Sequence, residues 1–159
     1  MRAAVLAAFV IAAMSGGGQL LAKDSPERTT GPVTIVNSGS TNVPGFQIVI
    51  DRTGNAVYNE TGRRFNVMRE KQGPAKPEQR RIASATVTRL YADLAAAAPL
   101  SAMPSQHCAK SVSFGTKLTM EYGEEQTPDL SCPGAEDPHV KALMRDATAI
   151  INVFRPRGR

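Results

Sequence analysis

Tryptophan is absent, and aromatic residues supply only 5% of the 159-residue chain. A core built from this composition rests on Leu, Ile, Val, Met and Ala, which bury less area per residue than aromatic rings. A covalent crosslink would therefore help it. Cysteine and histidine are also scarce: Cys108, Cys132, His107 and His139 are the whole set. Four such residues match the count for a zinc site, but His107 and Cys108 are adjacent, and zinc ligands usually come in pairs about two to five residues apart. A Cys108 nucleophile with His107 or His139 as its base would need a free thiol. No G-x-S-x-G elbow, H-E-x-x-H helix, Walker loop or dinucleotide fingerprint occurs. The stretch Asn37-Ser38-Gly39-Ser40-Thr41 has the look of an anion-binding loop, but it lacks a Gly-Lys-Ser/Thr ending and no helix pattern follows it. These absences lead to the expectation of a non-enzyme with no catalytic residue, no metal and no cofactor.

Long apolar runs are missing too, apart from one. Ala3 to Met14, preceded by Arg2, has the length of a signal-peptide core and is too short to anchor in a bilayer. Small residues follow at Ser15 to Gly18 and at Ala22. Residues 1–22 are therefore read as an export signal, cleaved after Ser15 or Ala22, against the rival of an uncleaved anchor helix. No Cys follows either point, which disfavours a lipoprotein. Residues 23–31 read as a flexible mature N-terminus, 32–155 as one domain and 156–159 as a basic tail. The expected location is periplasmic or extracellular, where two cysteines can oxidise.

The formal charge is +5, unevenly spread. Arg63, Arg64, Arg69, Lys71, Lys76, Arg80 and Arg81 crowd one segment and are the candidate contacts for an anionic partner; the bland reading is a solvated surface. That segment has one aromatic, Phe65, whereas single-strand nucleic-acid binders stack several, so nucleic acid is not the expected partner. The expected partner is a protein or an anionic envelope component.

Val33 to Val36 is β-branched and fits a strand. Phe46, Ile48 and Ile50 alternate with Gln47, Val49 and Asp51, and Thr53-Gly54-Asn55 supplies turn chemistry before Ala56 to Asn59 returns. Arg63 to Met68 is a further strand candidate. Glu70 to Glu78, with two prolines among charges, reads as an exposed loop. Ser84 to Ala98 is the first helix: Ser84 can cap it, Val87, Leu90, Tyr91 and Leu94 share one face, and Pro99 stops it. Asp93 lies off that stripe and reads as solvated. Val112 and Phe114 alternate, as do Leu118, Met120 and Tyr122; Gly123-Glu124 turns and Gln126 to Ser131 pairs back. Asp137-Pro138 opens the second helix, whose stripe is Val140, Leu143, Met144, Ala147, Ile151 and Phe154. Two amphipathic helices need an apolar sheet face to cover. The expected fold is α+β: a mainly antiparallel sheet of about four to six strands with two helices on one face, in the order ββ(β)αββα.

Cys108 and Cys132 sit just outside the ends of the second β region. If that region is one long hairpin turning near Gly123, with Gly115 as a bulge, its ends meet and a disulfide ties them. If Gly115-Thr116 is a true turn, three strands result and the cysteines lie too far apart to bond. The oxidising compartment favours the first layout.

The segments Val33 to Val36, Phe46 to Tyr58, Leu90 to Met103 and Leu118 to Cys132 follow one another in an order similar to that of uncharacterised small exported bacterial α+β domains, and loosely to that of emfourin-type metalloprotease inhibitors. The resemblance covers most of the chain after the leader, but as element order alone. No inhibitory motif matches, so no functional residue is carried over. The expected function is that of an exported, disulfide-stabilised binding module, contacting its partner through a sheet edge or the basic loop. The alternatives are an inhibitor-like protein and a small hydrolase without a recognisable motif.

Overall fold

Alternating residues put a single apolar face on each of the central strands. In the computed structural model, which describes residues 30–61, 76–105, 107–132 and 136–155, Val33–Asn37 (β1), Gly45–Ile50 (β2), Asn55–Thr61 (β3), Glu78–Arg81 (β4), Leu118–Tyr122 (β5) and Glu125–Gln126 (β6) form one sheet in the order β4-β3-β2-β1-β5-β6. Every pairing is antiparallel. Register aligns Ile35 with Ile48 and Met120, and Ile48 with Tyr58. These side chains share one face with Val33, Phe46, Ile50, Ala56 and Leu118. The opposite face carries Thr34, Val36, Gln47, Val49, Val57 and Asn59, all half-buried.

Ser84–Ala97 (α1) and Pro138–Phe154 (α2) cover the apolar face. Val87, Leu90, Leu94, Val140, Leu143, Ala147 and Ile150 join the strand residues in one core. The α2 stripe is rotated slightly from expectation. Ile150 and Asp146 are fully buried, whereas Met144 and Ile151 are half-buried. The few aromatics work as anchors. Tyr58 stacks between Phe46 and Phe154, and Arg155 donates to the Tyr58 hydroxyl at 2.8 Å while covering the Phe46 ring. The end of α2 is thereby fixed to β2 and β3.

The two helix starts differ. Asp137 caps α2 as expected, its Oδ1 accepting from His139 N and Val140 N at 2.8 and 3.0 Å. Asp137→Ala is expected to cost about 1 kcal/mol of stability, read in a urea titration, because two helix-terminal N–H groups lose their acceptor. Ser84 caps nothing: it is the first helical residue, and Ala83 before it offers only its carbonyl. The turn from β2 to β3 does need its glycine. Gly54 has φ +89°, and an added Cβ would lie 2.7 Å from the Ile82 carbonyl oxygen.

The fourth strand is where the sequence reading departs most. Glu78–Arg81, where the sequence pattern gives only the end of a loop at Glu78 and no element for the three residues after it, pairs with β3 through Asn55↔Arg81 to Tyr58↔Glu78. The expected strand at 63–68 lies outside the described residues, as do the export signal, residues 23–29, Arg63, Arg64, Arg69, Lys71 and the tail 156–159. Among the described residues, no helix is long and apolar enough to cross a membrane.

Candidate functional site

Cys108 and Cys132 are joined by a disulfide, with Cα atoms 5.6 Å apart. This closes off both the Cys108 nucleophile and any thiolate ligation of zinc. The route between the two cysteines is not a long ribbon, however. Residues 108–117 form an irregular loop, and only Leu118 onward is strand. Gly115 N donates to Ser111 O, closing a turn at 112–114. After β6, Thr127 N still donates to Met120 O and Leu130 N to Leu118 O, so the returning chain stays paired as far as Leu130.

Beneath the loop, Lys110 and Asp129 make a polar pin. Lys110 Nζ donates to Asp129 Oδ2, Ser131 Oγ and Thr116 O, each at 2.6 Å. Asp129 Oδ1 accepts from Leu118 N, Ser131 N and Ser131 Oγ. Burial pushes the Asp129 carboxyl upward, but the bonds from Lys110, Ser131 and the backbone of Leu118 and Ser131 outweigh it and hold it at about 2. A serine beside a lysine could suggest a nucleophile and its base. The Ser131 hydroxyl, however, donates to Asp129 Oδ1 at 2.7 Å, while its oxygen accepts from Lys110, so its proton is directed at the carboxylate rather than at the lysine. The cluster ties the loop to the start of β5 and to the chain that returns after β6.

The loop is also fastened sideways, to residues 38–42. Thr41 N donates to Val112 O and Asn42 N to Ser113 O, at 3.4 and 3.0 Å. Ser40 Oγ donates to Ser113 O at 2.8 Å, and Lys117 N to Ser38 Oγ at 2.9 Å. This settles the apparent anion loop. The N–H groups of Ser38, Gly39, Ser40, Thr41 and Asn42 point at Lys117 O, Asn37 Oδ1, Val43 O, Val112 O and Ser113 O. None is left to cradle a phosphate.

Among the polar residues that these two loops expose stand two large apolar side chains. Val112 is 84% exposed and Phe114 67%, against 39% for Val153, the next large hydrophobic. The alternation that suggested a strand with one buried face instead carries two side chains outward on a turn. Sequence reasoning missed this tip because period two looks the same on a strand and on an irregular loop.

The basic segment is less concentrated than its sequence suggested. Of its described members, Lys76 is exposed ahead of β4, and Arg80 and Arg81 alternate to opposite faces of that edge strand. Arg80 pairs with Glu78, and Arg81 donates to Asn55 Oδ1 at 3.0 Å. Charges and Pro77 at a sheet edge are the usual protection against strand addition, which disfavours β4 as the contact edge. His107 and His139 are exposed. Among the described residues, no three His, Cys, Asp or Glu side chains come together as metal ligands would.

Asp93 is not simply solvated. Arg145 Nη2 donates to its Oδ2 at 2.6 Å, and Arg145 Nε reaches Asp146 Oδ1 at 3.3 Å, so one guanidinium holds both carboxyl groups. No protein-family model matches the sequence, and a search of curated proteins finds no match.

Proposed function

We propose that the chain is an exported, non-catalytic binding module whose contact surface is the rigid tip at Val112 and Phe114. The observation that carries this reading is the pairing of exposed apolar side chains with a tied-down backbone. Two large apolar side chains stand in solvent on a loop held by a disulfide, by Lys110 and by backbone bonds to residues 38–42. A large apolar residue in water gains little for the fold, while a loop already fixed loses little entropy on docking. The expected partner is therefore a protein offering an apolar pocket. Export is supported by the apolar N-terminal run and is compatible with the disulfide. The inhibitor-like variant of this reading draws on the same loop, since a crosslinked loop resists being remodelled by what it binds.

The test uses the purified full-length mature protein as bait in the native exported fraction. Phe114→Ser and Val112→Ser are expected to leave the melting temperature within about 1 °C of the parent, because neither side chain is in the core. They are expected to weaken capture of the specific partner at least about tenfold, the range for an anchor residue. Inhibition of a metalloprotease that disappears in Phe114→Ser would select the inhibitor-like variant. Undiminished capture by both variants would sink the tip as the contact surface. A turnover activity abolished by one side-chain substitution elsewhere would instead establish the hydrolase.

A further inference from the structure

The contact between α1 and α2 contains four charges. Arg89 and Asp93 stand one turn apart on α1, and Arg145 and Asp146 are neighbours on α2. Arg89 Nε donates across to Asp146 Oδ1 at 2.7 Å, and Arg145 Nη2 donates back to Asp93 Oδ2 at 2.6 Å. Arg145 Nε reaches the same Asp146 Oδ1 at 3.3 Å. Asp146 is fully buried, and its second oxygen, Oδ2, has no hydrogen-bond partner among the described residues. An acceptor oxygen so deep in a protein is costly when nothing donates to it. The adjacent N–H groups of one guanidinium hold both carboxyl groups, and a proton carried by Asp93 would give Asp146 a further donor.

We propose that Asp93 and Asp146 share a proton and form a latch between the two helices that holds more firmly in acid than at neutral pH. The charged groups that bear on Asp93 are Arg89 on its own helix and Arg145 and Asp146 on the facing one. Burial, a hydrogen bond to Asp146 and the Asp146 charge all raise the Asp93 carboxyl above its ordinary value, and the two arginines oppose them without cancelling them. A group raised on folding contributes its stabilisation below the ordinary carboxylate value of 3.8 and loses it as pH rises through the raised value. At neutral pH the two carboxylates held by Arg145 then repel each other, and Arg89, engaged with Asp146, offsets this only in part.

Asp93→Asn separates this from an ordinary ion pair. The amide keeps an acceptor for Arg145 and offers Asp146 a permanent donor in place of a titrating one. The variant is expected to melt about 2–4 °C above the parent at pH 7 and within about 1 °C of it at pH 3.5. In the parent, the Asp93 carboxyl carbon followed by NMR is expected to titrate above 3.8. If Asp93 were merely an ionised partner of Arg145, Asp93→Asn would melt below the parent at pH 7, and the carboxyl would titrate below 3.8; either result overturns the latch. The NMR titration needs no variant and so stands even if Asp93→Asn folds poorly.

Discussion

Replacing Cys108 and Cys132 together by alanine is expected to lower the unfolding free energy by about 3.5 kcal/mol, the loop-closure value for cysteines 24 residues apart. For a domain of this size that corresponds to a fall in melting temperature of roughly 10–15 °C. Two circumstances make the effect large. The crosslinked stretch includes residues 108–117, which have no helix or strand to hold them. The core draws on few aromatic side chains, so less burial is available to absorb the loss. Thermal unfolding of the parent with and without a thiol reductant, compared with the double variant, measures it. Reduction should bring the parent down to the variant and leave the variant unmoved. A loss below about 1 kcal/mol would mean that Lys110 and the bonds to residues 38–42 already order the loop, and that the unfolded chain gains little freedom without the crosslink.

The features legible in the sequence were those that depend on near neighbours along the chain. The alternation at Phe46, Ile48 and Ile50, the turn at Gly54 and the stripes of α1 and α2 are local patterns, and each produced the element expected. So did Asp137, because a cap acts within three residues. Glu78–Arg81 failed for the opposite reason. Glu-Gln-Arg-Arg has no apolar residue, and its strand exists because β3 offers a free edge; nothing within the segment announces that. The α+β class survived this miss because helices must cover a sheet face however many strands the sheet has. The disulfide was legible, but the hairpin expected to deliver it was only half right. Strand geometry begins at Leu118, and the cysteines meet because the loop before it folds back and is pinned.

The candidate site was hidden by the same asymmetry between local and distant partners. Lys110, Thr116, Asp129 and Ser131 are spread over 21 positions, with no motif linking them. Asp93 and Arg145 are 52 positions apart. A charged residue off an apolar stripe is usually solvated, and only the packing of α1 on α2 reveals otherwise. Val112 and Phe114 were misplaced because the sequence rule takes apolar alternation as burial. Here the carbonyls of Val112 and Ser113 accept from Thr41 and Asn42, and the two side chains are left outside. An apolar residue that the fold does not use is the kind of local inconsistency that function tends to leave behind.

Asp129→Ala is expected to cost about 3 kcal/mol, because Lys110 would keep a partly buried charge without its carboxylate, and the N–H of Leu118 and of Ser131 would each lose an acceptor. The pH dependence follows from the direction of the shift. Asp129 is held at about 2, below its ordinary 3.8. A carboxyl lowered on folding gives stability that is complete above the ordinary value and is lost as pH falls through the lowered one. The parent should therefore lose about 2 kcal/mol from this group as pH falls from about 4 to 2. Asp93 works in the reverse sense and over higher pH, so the two are separable by urea titrations of Asp129→Ala and Asp93→Asn across pH 2 to 7. The double variant Asp129→Ala with Lys110→Met should recover part of the loss, since the orphaned charge goes with the lysine. If the double variant instead lost the full sum of its two single effects, Lys110 and Asp129 would be acting independently. The loop that carries Phe114 would then depend on its disulfide and on residues 38–42 alone.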